Sequence, residues 1–217
     1  MKKAFSILLL FTISLVSFGQ DFQPKGSLKT EVAIPVIIQN KALKKTQQGL
    51  INYSLYYQHA FKGFTIGAGA RYNYFNVNEF SLVERIRGGL HQVGGFVKLG
   101  YERFITDRLS IDAGVRGGYL QMYSKNTFTD SILGKAYQSK TWFVEPIVHV
   151  SYLASEASAF FFHIGYNIQF FHYTPDFLSL NEITPYTAAD NAKFAQYITF
   201  GFGYSYFFGR PKEATRR

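Results

Sequence analysis

The sequence predicts an all-β protein, an eight-stranded antiparallel transmembrane up-and-down β-barrel preceded by a cleavable signal peptide, on three observations. The last stretch, Tyr197 to Phe208, sets Ile198, Phe200, Phe202, Tyr204, Tyr206 and Phe208 on one face. The small or polar Thr199, Gly201, Gly203 and Ser205 fall on the other, the period of two that marks a strand with one oily side. The same large-residue face recurs in segment after segment with no helical pattern available to cover it, so lipid is the expected cover. The connections alternate short and long, which is how a barrel with tight turns on one side of a membrane and loops on the other is laid out.

In chain order, Lys2 and Lys3 precede an apolar run from Ala4 to Phe18, and Ser17-Phe18-Gly19 offers small residues where a signal peptidase reads. Residues 1–19 are expected to be a secretory signal peptide, since the run falls short of the about 20 residues a spanning helix needs. No cysteine follows, which excludes a lipoprotein, a disulfide framework and thiolate metal sites. A polar periplasmic leader, 20–26, leads into a barrel expected over 27–209. A basic periplasmic tail, 210–217, closes the chain.

Strands are expected at Ser27 to Ile38, Leu50 to Phe61, Phe64 to Phe75, Gln92 to Phe104, Leu109 to Tyr123, Thr141 to Leu153, Ala159 to Tyr173 and Phe194 to Phe208. Each meets the about 9–11 residues of a tilted crossing. Lys62-Gly63, Ile105 to Arg108 and Ala154 to Ser158 are tight; Gln39 to Gly49, Asn76 to His91, Ser124 to Lys140 and Thr174 to Lys193 are long. Both termini then lie on the short-turn, periplasmic side. Lys62-Gly63 suits a two-residue hairpin because glycine accepts positive φ.

Facing follows from the alternation. In the second strand Ile51, Tyr53, Leu55 and Tyr57 face lipid, and Asn52, Ser54, Tyr56 and Gln58 the lumen. In the third, Phe64, Ile66, Ala68, Ala70 and Tyr72 point out and Thr65, Gly67, Gly69, Arg71 and Asn73 in. In the seventh, Phe160, Phe162, Ile164, Tyr166, Ile168 and Phe170 oppose His163, Gly165, Asn167 and Gln169. Aromatics near strand ends, among them Phe61, Phe64, Tyr74, Tyr101, Trp142, Tyr152 and Tyr206, form the expected interfacial girdles. Two places fit the pattern poorly. Pro146 interrupts the sixth strand, where a bulge is expected because a barrel has no free edge for it. After Gly117-Gly118 the fifth strand loses clean alternation, with Leu120 and Met122 inward.

From Thr199 onward the last strand resembles the C-terminal assembly signal of bacterial outer-membrane barrels: the polar Thr199, then Gly201, then Tyr204 and Tyr206. From about Ser27 to Phe208 the chain resembles the small eight-stranded outer-membrane β-barrel proteins, OmpA/OmpX-like and porin-family barrels of the Bacteroidota type. The resemblance implies location and fold; the roles within such families are varied.

An eight-stranded barrel is narrow enough for side chains to fill it. The expected inward ionisable residues are Lys29, Glu31, Arg71, Lys98, Glu102, Asp112, Arg116 and Glu145, four positive and four negative. A balanced set of this kind reads as a network of paired charges plugging the tube, since an unpaired buried charge is costly. The alternative is a water path for small solutes or ions lined by those groups. His149 and His163 lie at equal distance from Glu156, so a symmetric hairpin sets them opposite each other, about 5 Å apart at Cβ. Two histidines without a fixed third ligand do not define a metal centre, and no metal or cofactor is expected.

Glu145, His149 and Ser151 share one face of the sixth strand and resemble the constellation of outer-membrane lipid A deacylases, with histidine as base and serine as nucleophile. His149-Val150-Ser151 nevertheless faces the lumen near the periplasmic end, the surrounding family motif is missing, and no catalysis is expected. Gly67, Gly69, Gly201 and Gly203 alternate within strands, making room for Tyr56, Phe96 and Phe143 rather than forming a phosphate loop.

The 23 basic residues less Lys2 and Lys3 leave 21 against 14 acidic, a net charge of +7 for the exported chain. Clusters at Lys41, Lys44 and Lys45 and at Arg210 to Arg217 suit anionic head groups, and nucleic acid has no supporting motif. Phe128, Tyr137, Phe177, Leu178 and Tyr186 in the long loops suggest contacts with lipopolysaccharide or another envelope protein, or packing of loop on loop. The expectation is a monomeric outer-membrane barrel with a structural or surface-interaction role, met by lipid, lipopolysaccharide and, through its last strand, the barrel-assembly machinery.

Overall fold

The computed structural model describes residues 25–78, 87–127, 136–174 and 193–208. The expected signal peptide, most of the leader, the basic tail and the loop residues Phe128, Phe177, Leu178 and Tyr186 lie outside the described residues.

Eight strands form one closed barrel in sequence order: β1 (Gly26–Gln39), β2 (Gln47–Phe61), β3 (Phe64–Val77), β4 (Gly88–Phe104), β5 (Leu109–Asn126), β6 (Tyr137–Ser155), β7 (Ser158–His172) and β8 (Phe194–Phe208). Every neighbouring pair is antiparallel. β1 pairs with β8 along Leu28↔Tyr206, Ala33↔Gly201 and Ile37↔Tyr197, which closes the seam and leaves no free edge. Side-chain direction follows the period of two. On β8 the odd positions Tyr197, Thr199, Gly201, Ser205 and Phe207 are buried, while Phe202 is 72% exposed. The outward surface is a belt of Phe, Tyr, Ile, Leu and Val, a surface that suits lipid and not water.

The β2–β3 turn is Lys62-Gly63 with φ of 50° and 87°, the two left-handed residues of a type I′ hairpin whose twist matches its strands. At the opposite end the strands run further than the alternation alone suggests. β4 begins at Gly88, not Gln92, and β6 at Tyr137, not Thr141.

Two expectations need correcting. The connection expected to be a loop from Gln39 to Gly49 holds a short helix, α1 (Lys41–Thr46), capped by Asn40, whose Oδ1 accepts from the Leu43 amide at 2.9 Å. Pro146 causes no bulge. It pairs with Val115 in an unbroken register toward β5, and toward β7 the register is the same on both sides of it, at Val144↔Ile168 and Ile147↔Gly165. Between Phe143 and Leu153 the ladder toward β7 skips Glu145 and Pro146 without a shift of register, so the missing donor is absorbed as a local gap in one ladder. The fifth strand places Leu120 and Met122 inward as expected, and its in-out alternation continues to the end. Leu120 packs in the apolar layer of Tyr56, Phe96 and Phe143, and Met122 in the apolar cluster at the long-loop end, which is why oily residues face inward there.

Candidate functional site: the filled lumen

The inward side chains stack in layers along the barrel. At the short-turn end Phe104, Leu153, Ala159 and Phe207 form an apolar cluster. Above it lies the first charged group. Lys29 donates to Asp112 at 2.9 Å and lies 3.5 Å from Glu102, while Lys98 donates to both Asp112 and Gln58. Gln58 in turn donates to Glu102 at 2.9 Å, and the Ser110 hydroxyl meets Glu102 at 3.3 Å.

The second charged group sits further along. Arg116 grips Glu31 with both arms, Nη2 to Oε2 at 2.7 Å, and lies 3.5 Å from Glu145. Arg71 pairs with Glu145, and its Nε donates to the Ser54 hydroxyl at 3.3 Å. The two guanidinium planes lie over aromatic faces: Arg71 over Phe143 at 4.8 Å, Arg116 over Tyr56 at 4.9 Å and over Phe96 at 5.0 Å. Register explains why partners are sought across the lumen. Lys98 and Arg116 are directly opposed on β4 and β5, and this like-charge pair is relieved only because each reaches a different carboxylate.

His149 and His163 are opposed across β6 and β7, with Nε2 of the first 3.0 Å from Nδ1 of the second. The pair links the two charged groups. His149 Nδ1 lies 3.4 Å from Asp112, and His163 Nε2 lies 2.9 Å from the Thr199 hydroxyl, itself 3.3 Å from Glu145. Glu31 Oε2 stands 3.5 Å from His149 Nε2 and 3.8 Å from His163 Nδ1.

Beyond Tyr56, Phe96, Leu120 and Phe143 comes an amide layer. Asn73 donates to Gln92 at 2.9 Å, Gln169 donates to Gln92 at 2.7 Å, and the Tyr197 hydroxyl accepts from both Asn73 and Gln169 at 3.1 Å. The long-loop end is closed by an apolar cluster into which α1 inserts Ala42 and Leu43 beside Ile37, Phe75, Leu90 and Met122. Asn40 Nδ2 fastens that helix to the carbonyls of Tyr173, at 3.1 Å, and Lys193, at 2.9 Å. Lys41, Lys44 and Lys45 stay on its exposed side.

All eight ionisable residues expected inside the lumen are there and buried, as are both histidines. Of the residues in the last-strand signature, Tyr204 and Tyr206 point outward and Thr199 and Gly201 inward, with Thr199 part of the polar network. Glu145, His149 and Ser151 share a face of β6 but do not assemble as a nucleophile and base. The His149 ring nitrogens meet Asp112 and His163, and Ser151 Oγ has no hydrogen-bond partner. Two contributors escape sequence reading: α1, signalled by Asn40 ahead of the helix formers Lys41-Ala42-Leu43, and the approach of Glu31 to the histidines, for which strand order leaves no signal.

The closed eight-stranded antiparallel barrel with an apolar exterior and a polar, side-chain-filled interior is the architecture of small outer-membrane β-barrel proteins. The chain belongs to the family of proteins of unknown function DUF3575, whose model matches residues 10–153, a span that takes in β1 to β5 and most of β6. No curated protein matches the sequence. Among solved structures, the barrel is similar to Neisserial surface protein A (NspA), with a TM-score of 0.54 and 11% identity over 85% of this chain and 97% of that one. It is similar also to a major outer membrane protein from Thermus thermophilus, with a TM-score of 0.51 and 10% identity over 84% of this chain and 99% of that one. At such identities the likeness is one of fold.

Proposed function

We propose that this protein is an integral barrel of a bacterial outer membrane, exported by residues 1–19, that acts without catalysis as a structural or surface-interaction element of the envelope. The observation that carries this reading is the lumen, which is apolar at both ends and ion-paired through the middle. Such a tube offers solutes no continuous polar path. Lipopolysaccharide phosphates are the partner for Lys41, Lys44 and Lys45 at the long-loop rim, and the assembly machinery is the partner of β8.

Planar-bilayer recording with the full mature chain tests the sealed lumen. The expected result is no unitary conductance. Steps whose size changes in Arg71→Ala or Arg116→Ala would replace this reading with a small-solute channel. Lipid A masses that differ between cells with the wild type and cells with Ser151→Ala would replace it with a lipid-modifying enzyme. Purification in mild detergent with mass spectrometry of stoichiometric companions then separates an autonomous barrel from a subunit of a larger envelope assembly.

A further inference from the structure

We propose that Glu31, His149 and His163 form a site for one divalent transition-metal ion, of the zinc, cobalt or nickel class, inside the barrel. The three residues come from β1, β6 and β7, and each turns one ligand atom toward the other two. The separations are 3.0 Å between His149 Nε2 and His163 Nδ1, 3.5 Å between His149 Nε2 and Glu31 Oε2, and 3.8 Å between His163 Nδ1 and Glu31 Oε2. A triangle with sides of 3.0, 3.5 and 3.8 Å has its circumcentre about 2.0 Å from every corner, the bond length such ions make to imidazole nitrogen and carboxylate oxygen.

The outer contacts are those of a ligand set held in place. His149 coordinates through Nε2 while its Nδ1 faces Asp112 at 3.4 Å, and His163 coordinates through Nδ1 while its Nε2 faces the Thr199 hydroxyl at 2.9 Å. The Glu31 carboxylate is fixed by Arg116. A metal-bound histidine characteristically gives its second nitrogen to such a partner, which sets the tautomer and the ring orientation.

Proton placement points the same way. Thr199 gives its one proton to Glu145, so His163 Nε2 donates to Thr199 and Nδ1 is a lone pair. With the His149 proton on Nδ1 toward Asp112, His149 Nε2 and His163 Nδ1 are two lone pairs 3.0 Å apart with a Glu31 oxygen 3.5 and 3.8 Å away, acceptors facing one another in a buried site. An ion between them converts that opposition into coordination. Arg116, already 3.5 Å from Glu145, remains paired with that carboxylate when the ion takes up Glu31. Two imidazoles and one carboxylate favour zinc, cobalt or nickel over magnesium or calcium, which take oxygen ligands. Because both ends of the lumen are apolar, the ion enters as the barrel folds and leaves slowly afterwards.

The test is to refold the full mature chain in detergent with Zn2+ or Co2+, strip unbound metal with a chelator, and count metal per barrel. The expected result is one ion retained, with the visible absorption of tetrahedral-type Co2+ in the cobalt form. His149→Gln and His163→Gln, checked for folding by heat-dependent gel mobility, are expected to lose that ion. Thr199→Val weakens retention by about 10- to 100-fold, the usual effect of losing an outer contact. Metal no higher than in a protein-free blank overturns the proposal, as does retention equal to wild type in a folded histidine variant. If neither histidine variant folds, X-ray absorption at the zinc edge of the wild type decides: two imidazoles with a carboxylate uphold the site, and any other ligand set overturns it.

Discussion

Arg116 on β5 and Glu31 on β1 form a two-armed ion pair across the barrel axis, with both side chains fully buried. The pair bridges strands that are not neighbours in the sheet, so it ties opposite walls of the tube together. Removing Glu31 leaves the buried Arg116 only Glu145, 3.5 Å away and already paired with Arg71, and removing Arg116 leaves the buried Glu31 without its two-armed partner. Glu31→Gln or Arg116→Leu is therefore expected to destabilise the barrel by about 3–5 kcal/mol, read as a lower urea midpoint in detergent. Replacing both with leucine is expected to cost less than either single change, because the uncompensated charge is gone.

The lid at the long-loop end depends on Asn40, which caps α1, holds two carbonyls with its amide and has a φ of 71°. Asn40→Ala loses all three bonds and strains the backbone, whereas Asn40→Gly loses the bonds alone. Hydrogen exchange is expected to speed up at the α1 amides in both variants, more in the alanine one. The β3–β4 amides are expected to be unchanged, since the lid opens locally. Equal protection of α1 in the wild type and Asn40→Ala would show that the apolar contacts of Ala42 and Leu43 hold the helix by themselves.

The type I′ turn leaves room for improvement. Lys62 adopts φ 50°, which costs an ordinary side chain more than it costs asparagine. Lys62→Asn is expected to raise stability by roughly 0.5–1 kcal/mol in urea titration. At Gly63, φ 87° and a Tyr101 ring carbon 2.6 Å from where a Cβ would stand make Gly63→Ala unfavourable by about 1–2 kcal/mol. If Lys62→Asn left the midpoint unchanged, the turn would contribute nothing to barrel stability.

How far the sequence alone reaches is set by what is local. Alternation is local, so the facing of β2, β3, β7 and β8 follows from residue order, and the opposition of His149 and His163 follows from counting back from a tight turn. Contacts across the lumen are not local. Which carboxylate meets Arg116, or that Glu31 approaches the histidines, depends on the stagger of strands around a closed barrel, to which no single segment refers. The fifth strand breaks the hydropathy pattern, though not the expected facing, for a different reason. Leu120 and Met122 are oily residues on an inward face, and only the position of the apolar layers explains them. Pro146 misleads because a ladder gap in one direction absorbs a proline as well as a bulge does.

The last prediction concerns the seam. Gly201 lies opposite Ala33 on β1 and His163 on β7, and a Cβ there would stand 2.5 Å from the Ala33 Cα. Gly201→Val is therefore expected to push β1 and β8 apart where the barrel closes, while Phe200→Leu on the adjacent outward position is expected to be neutral. Gly201 also belongs to the stretch proposed to be read during assembly, so failure in cells has two explanations. Refolding into detergent without any assembly factor separates them, with heat-dependent gel mobility as the measure. A purely steric role predicts that Gly201→Val fails in the tube as well as in the cell. A recognition role predicts a barrel that forms normally in detergent and is lost only in the cell. The contact with the β1 backbone favours the first outcome, because backbone at a closing seam has nowhere to move without breaking the ladder on its other side.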